Sequence, residues 1–84
     1  MTREECITIT GDEELLFVDG HDNAITGVAQ RFNDFFVVYD QSLVISNLMK
    51  DDMTYDEAID FFHFNISGAY VGNSTPAFLY KSDG

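Results

Sequence analysis

The spacing of apolar residues changes character along the chain, from alternation in the first forty residues to helical stripes after them. In "CITIT", Ile7 and Ile9 alternate with Thr8 and Thr10, a period of two in β-branched residues that predicts a half-exposed edge strand. The acidic turn "GDEE" and the apolar run Leu15 to Val18 predict a second strand, closed by the polar turn "DGHDN". Residues 24 to 32 are ambiguous. Ile25, Val28, Ala29 and Phe32 have helical spacing behind a possible cap at Asp22, whereas Gly27 and the β-branched residues favour a strand. Because "ND" then separates this run from "FFVVYD", the pair reads as a hairpin with residues 24 to 32 as its first strand, helix remaining the alternative. The continuous apolar run "FFVVY" predicts a central strand covered on both faces.

Two helices follow. Asp40 is placed to accept the first free amides of a helix over residues 41 to 50, with Val44, Ile45, Leu48 and Met49 as its apolar stripe and Lys50 at the favourable end of the dipole. Thr54 and Glu57 form a Thr-x-x-Glu capping box, with Met53 stapling onto Ala58, so a second helix starts at Tyr55. Gly72 and Asn73 end it near residue 71, Pro76 blocks its resumption, and "AFLY" leaves room for a last short strand. These elements predict a single α+β domain, a small and mainly antiparallel sheet with two consecutive helices packed on it.

Residues 54 to 80 hold seven of the twelve aromatics. Projected at about 100° per residue, Asp56, Asp60, His63 and Ser67 share one wet stripe, flanked by Glu57 and Phe64. Asn65 falls about 180° from it, among Ala58, Phe61, Gly68 and Ala69, and is therefore expected to be buried and hydrogen-bonded. It reads either as a structural Asn that ties off backbone groups or as a polar anchor in a pocket lined by Phe61 and Tyr70. Gly68 and Gly72 predict a close backbone approach, from the sheet or from a second helix. Phe61, Phe62 and Phe64 point three ways, so Phe64 is expected to lie exposed beside the wet stripe and to mark an interface.

Composition narrows the function. Fifteen Asp and Glu against four Lys and Arg give a formal charge of −11 on 84 residues, a field that opposes nucleic-acid phosphates and anionic membranes and attracts basic protein surfaces. With 45% hydrophobic and 14% aromatic residues the chain is expected to fold despite that charge. One cysteine, Cys6, excludes an internal disulfide and predicts a reducing compartment. No apolar run of membrane-spanning length and no basic, apolar leader is present, so a cytoplasmic location is expected.

Chemical motifs are few. Asp56, Asp60 and His63 share a face but form an exposed set without a supporting shell, and "DGHDN" lacks the distal Glu of a calcium loop. No nucleophile elbow, phosphate-cradling glycine loop, His-Glu-x-x-His or paired Cys motif occurs. The expectation is a non-enzymatic protein with no cofactor and no metal. Its candidate interaction or pocket residues are Asn65, Phe61, Phe64, Tyr70, Asp56, Asp60 and His63.

The order "VVYD", "LVISNLM", "MTYDEAIDFFHFNISGAYVGNSTPAFL" resembles a family of small uncharacterised proteins of bacteriophages and bacterial genomes. The likeness runs roughly from residue 22 to 80 and is most specific in "EAIDFFHFNISGAYVGNSTP", where Asn65, Gly68, Gly72, Thr75 and Pro76 fit; "MTREECITITGDEELLF" falls outside it. The family carries no assigned activity. The resemblance implies a phage-encoded protein of the bacterial cytoplasm. Charge, length and the exposed aromatic then favour an interaction protein that modulates a host or defence protein. The alternative is a small-molecule binding or sequestering protein; for a nucleotide, two chains would have to pool Arg31, Lys50 and Lys81. Self-association as a symmetric dimer is expected, since a core this small leaves aromatics over.

Overall fold

Thr2 and Glu5 repeat, at the start of the chain, the reciprocal capping seen at Thr54 and Glu57: each Thr hydroxyl accepts from the Glu amide, and each Glu carboxylate accepts from the Thr amide. In the computed structural model, which describes residues 1–82, the first box opens helix α1 (Arg3–Thr10), stopped by Gly11 in the left-handed region at φ 71°. The strand expected over "CITIT" is therefore a helix. Its inward positions are Arg3, Cys6, Ile7 and Thr10, an i, i+3, i+4, i+7 spacing that the Thr/Ile alternation concealed, and two good caps outweigh weak β-branched propensity.

Strand β1 (Ile25–Arg31) and strand β2 (Asp34–Asp40) form the antiparallel hairpin, so residues 24 to 32 are strand and not helix. The turn falls one residue earlier than "ND", on Phe32 and Asn33, because Arg31 faces Asp34 across the ladder. That pairing leaves Phe32 at φ 55°, rare for a bulky residue, and 89% exposed. Asp40 ends β2 and caps helix α2 (Gln41–Lys50), accepting from the Ser42 and Leu43 amides at 3.0 and 3.4 Å. Helix α3 (Tyr55–Phe61) follows, then a π-helical turn (Phe62–Ser67), and strand β3 (Ala77–Leu79) returns parallel to β2. The sheet order is β1–β2–β3. The fold is α+β, with the expected helices behind a small sheet whose longer pairing is antiparallel.

One cluster joins Cys6 of α1, Val44, Ile45 and Leu48 of α2, Ala58 of α3 and Phe62 of the π turn to Val37 and Tyr39 of β2. All the helices therefore lie on the Val37/Tyr39 face. β2 is central, as expected, but it is not covered on both faces: Phe36 and Val38 point away from the cluster and are only half-buried.

Leu15 to Val18 forms no ladder, contrary to the expected strand. The segment crosses the core face as irregular chain, Leu15 is buried, and the Val18 amide donates to the Tyr39 hydroxyl at 2.7 Å instead of to a neighbouring strand. Arg3 stacks over Phe17 at 4.8 Å and pairs with Asp22 and Asp19 at 2.8 and 3.1 Å, holding α1 to this segment. Tyr39→Phe is expected to lower stability by about 1–2 kcal/mol, because the part-buried Val18 amide loses its acceptor. A urea melt with an unchanged slope and an unshifted midpoint would show that water replaces the hydroxyl.

Candidate functional site

The exposed face anticipated at α3 is built: Asp56, Glu57, Asp60, His63 and Phe64 are exposed, but so is Phe61, which the projection sets inward beside Asn65. Phe64 is 82% exposed and stands with Met53, Glu57, Asp60, Phe61 and Asn65 around a shallow groove of about 380 Å³. Glu57 is held below the usual carboxylate range by the Thr54 amide and then the Thr54 hydroxyl, so it contributes a negative charge to this rim. The His63 ring lies edge-on to Phe62 at 5.4 Å. Among the described residues, no three His, Cys, Asp or Glu side chains converge as around an ion; Asp56, Asp60 and His63 are an exposed polar stripe.

Asn65 is exposed, contrary to the buried position expected of it. From Phe62 the chain winds as a π turn, with more residues per turn than the α-helix on which the projection was based. Ile66 thereby lines up under Phe62 and takes the inward place, while the Asn65 amide reaches back to the Phe61 carbonyl at 3.3 Å. The helical stretch ends at Ser67 instead of residue 71. The close approach at Gly68 is likewise internal: a Cβ there would meet the His63 carbonyl oxygen at 2.7 Å. Gly72, at φ 114°, serves the following turn.

Asn65 stands on a ridge between the acidic groove and two other hollows. One, of about 310 Å³, is apolar and lined chiefly by Leu16, Phe17, Val18, Ile66, Pro76 and Phe78. The other, of about 620 Å³, contains His21, Asn23, Asn47, Lys50, Asp51 and Phe61. Tyr70 belongs to neither: it is 74% exposed and lies near Arg31 and Phe36, so a single pocket of Asn65, Phe61 and Tyr70 does not form.

The larger cleft contains a group that sequence spacing did not single out. His21 is only 8% exposed, and its Nδ1 lies in hydrogen-bond reach of the Asn47 side-chain amide at 3.1 Å. Asn47 and Asn23 exchange amide hydrogen bonds at 2.7 and 3.1 Å. With the Asn47 amide nitrogen turned towards the ring, the neutral tautomer carries its proton on Nε2, for which no partner is found among the described residues. Burial pushes the His21 pKa down, opposed by Asp51, so the ring stays neutral more readily than a free imidazole. The turn residues were visible in "DGHDN"; their partner Asn47, on α2, was not. Cys6 lies in a helix and not a strand, is fully buried, and burial raises its pKa, which leaves it an unreactive core thiol. Among the described residues no helix is long and apolar enough to cross a membrane. No protein-family model, curated protein or solved structure matches the chain.

Proposed function

We propose that this chain is a small acidic, non-enzymatic interaction protein that binds and modulates a host or defence protein, encoded by a phage and acting in the bacterial cytoplasm as its resemblance implies. The observation that carries the reading is Phe64, a large aromatic 82% exposed beside Asp60, Glu57 and an open groove. An aromatic anchor inside a charged rim is the composition of an interface hot spot. Its complement is a basic surface with an apolar socket, and the −11 field would steer such a partner towards it.

Capture from a bacterial lysate, at low and high salt, tests this. The wild type should retain a discrete protein that high salt releases. Phe64→Ser should weaken that capture about thirtyfold, the loss of one hot spot of about 2 kcal/mol. Equal capture by both proteins, or none by either, would remove the proposal.

A second reading, binding of a small molecule, is favoured by His21, whose unpartnered Nε2 belongs to a buried ring lining a 620 Å³ cleft. A heat-stable low-mass filtrate that raises the melting temperature of the wild type but not of His21→Ala would support it.

A further inference from the structure

The cleft of about 620 Å³ between the "DGHDN" turn, the end of α2 and the start of the π turn is lined by a buried imidazole with one unused nitrogen. Among the described residues, every buried side-chain nitrogen and oxygen has a hydrogen-bond partner, whereas Nε2 of His21 has none; it is therefore not sealed in the core but opens to the cleft that the ring lines. Its neighbours set its role. With Nδ1 turned to the Asn47 amide, and burial favouring the neutral ring, Nε2 presents one N–H and can only donate. Asn23 and Asn47 hold that ring in place and use their own amides on each other. The charges around it are mostly negative. Asp51 stands near enough to His21 to oppose the effect of burial, and among the described residues it has no ion pair. Asp19 gives one oxygen to Arg3 at 3.1 Å, with its side chain otherwise in solvent. Lys50 is the one cation on the lining against these two carboxylates, and Phe61, 39% exposed, adds an aromatic wall.

On the small-molecule reading of the cleft, on which this rests, we infer that its ligand is a small organic cation carrying a hydrogen-bond acceptor, the acceptor on the His21 Nε2 proton and the ammonium or guanidinium group beside Asp51 and Asp19. Charge decides the sign of the ligand. An anion entering the cleft meets two carboxylates and the −11 field with only Lys50 in its favour, whereas a cation is attracted by all of these except Lys50 and by the Phe61 ring. The buried donor decides the rest. A bare cation would cover the Nε2 proton without satisfying it, and leaving a desolvated donor unpaired is costly. A neutral acceptor would satisfy the proton but gain nothing from the carboxylates. An aminoacyl amide, with a carbonyl a few bonds from a positive charge, meets both demands.

Ring-selective NMR of the two histidines reads binding with an internal control, because His21 is buried in the cleft and His63 is exposed on the acidic stripe. The titrations belong at about pH 7.5 and physiological salt, where the His21 ring is neutral and diffuse attraction is screened. Argininamide, a cation with a carbonyl, should move the His21 signals saturably and leave those of His63 in place. Agmatine keeps the positive charge and lacks the carbonyl, and should bind about fivefold more weakly. N-acetylglycinate, an acceptor bearing a negative charge, should show no saturation. Asp51→Asn, at an exposed position where the fold is not at stake, should weaken argininamide about threefold. Equal binding of argininamide and agmatine, an undiminished affinity in Asp51→Asn, or movement of both histidines together overturns the inference. Saturation by N-acetylglycinate alone overturns it and leaves the small-molecule reading standing. A His21 signal that no probe moves overturns it as well, and the small-molecule reading then answers to the low-mass filtrate.

Discussion

Phe62→Ala is expected to lower the unfolding free energy by about 3–5 kcal/mol, the range for deleting a fully buried aromatic. Phe62 has no exposure and meets Phe78 edge-on, with ring centroids 4.9 Å apart, while Phe78 in turn lies 5.9 Å from Tyr39. It is the side chain through which the π turn, β3 and the central strand share one core. Collapse around the gap is restricted, because the three rings are fixed by separate elements. Asn65→Leu is the contrasting substitution. Asn65 is exposed and bonded only to its own helix, so its loss should fall within about 0.5 kcal/mol. Urea unfolding of both variants decides which residue faces inward. A loss under about 1 kcal/mol for Phe62→Ala with a larger one for Asn65→Leu would restore the straight helical projection and discard the π turn.

That pair of substitutions also marks where the sequence was readable. Caps are local, a few residues talking to one another, so Thr54 with Glu57 placed the start of α3, and Asp40 placed that of α2, to the residue. The central strand was legible because five consecutive apolar residues fit no surface helix. Residues 6 to 10 were misread although the same capping signal stood just before them at Thr2 and Glu5, since Ile and Thr alternation carries both a strand period and, through Cys6 and Ile7, a helical one. Nothing in the segment itself says which face will be buried; the core on the Val37/Tyr39 side decides it.

The candidate site was legible in part for the same reason. Asp56, Glu57 and Asp60 depend only on rotation about α3 and are exposed as anticipated, and Phe64, only two residues past the start of the π turn, is exposed as well. Asn65 lies beyond the point where that helix widens, and a projection carried across it loses phase. The His21 cleft depends on Asn47, 26 residues away, and is a product of topology. Charge was read correctly as a total of −11, but which carboxylates stand around that cleft needed the fold.

Asp40→Ala is expected to cost about 2 kcal/mol at neutral pH, the upper end of the range for an N-cap. The carboxylate accepts from the Ser42 hydroxyl at 2.7 Å as well as from two backbone amides, and its other oxygen meets Lys81 at 3.0 Å, so one group caps α2 and tethers the chain leaving β3. Asp40 itself is only 8% exposed. Asp40→Asn should cost less, because Asn is a comparable cap and loses only the ion pair with a half-exposed Lys81. The pH dependence follows from the carboxyl being held below its ordinary value, by the Ser42 hydroxyl first and Lys81 second. The folded pKa is lower than the unfolded one, so the stabilisation is complete above the unfolded value of about 3.9 and is lost as pH falls through the folded value. Acidification also relieves the self-repulsion of a −11 chain, which opposes this trend in the raw melting curve. The informative quantity is therefore the difference between wild type and Asp40→Ala. It should stay constant from pH 7 to about pH 5 and narrow steadily below about pH 4. A difference that is equally large at the lowest pH where both proteins fold would mean that the cap works through its shape and not its charge.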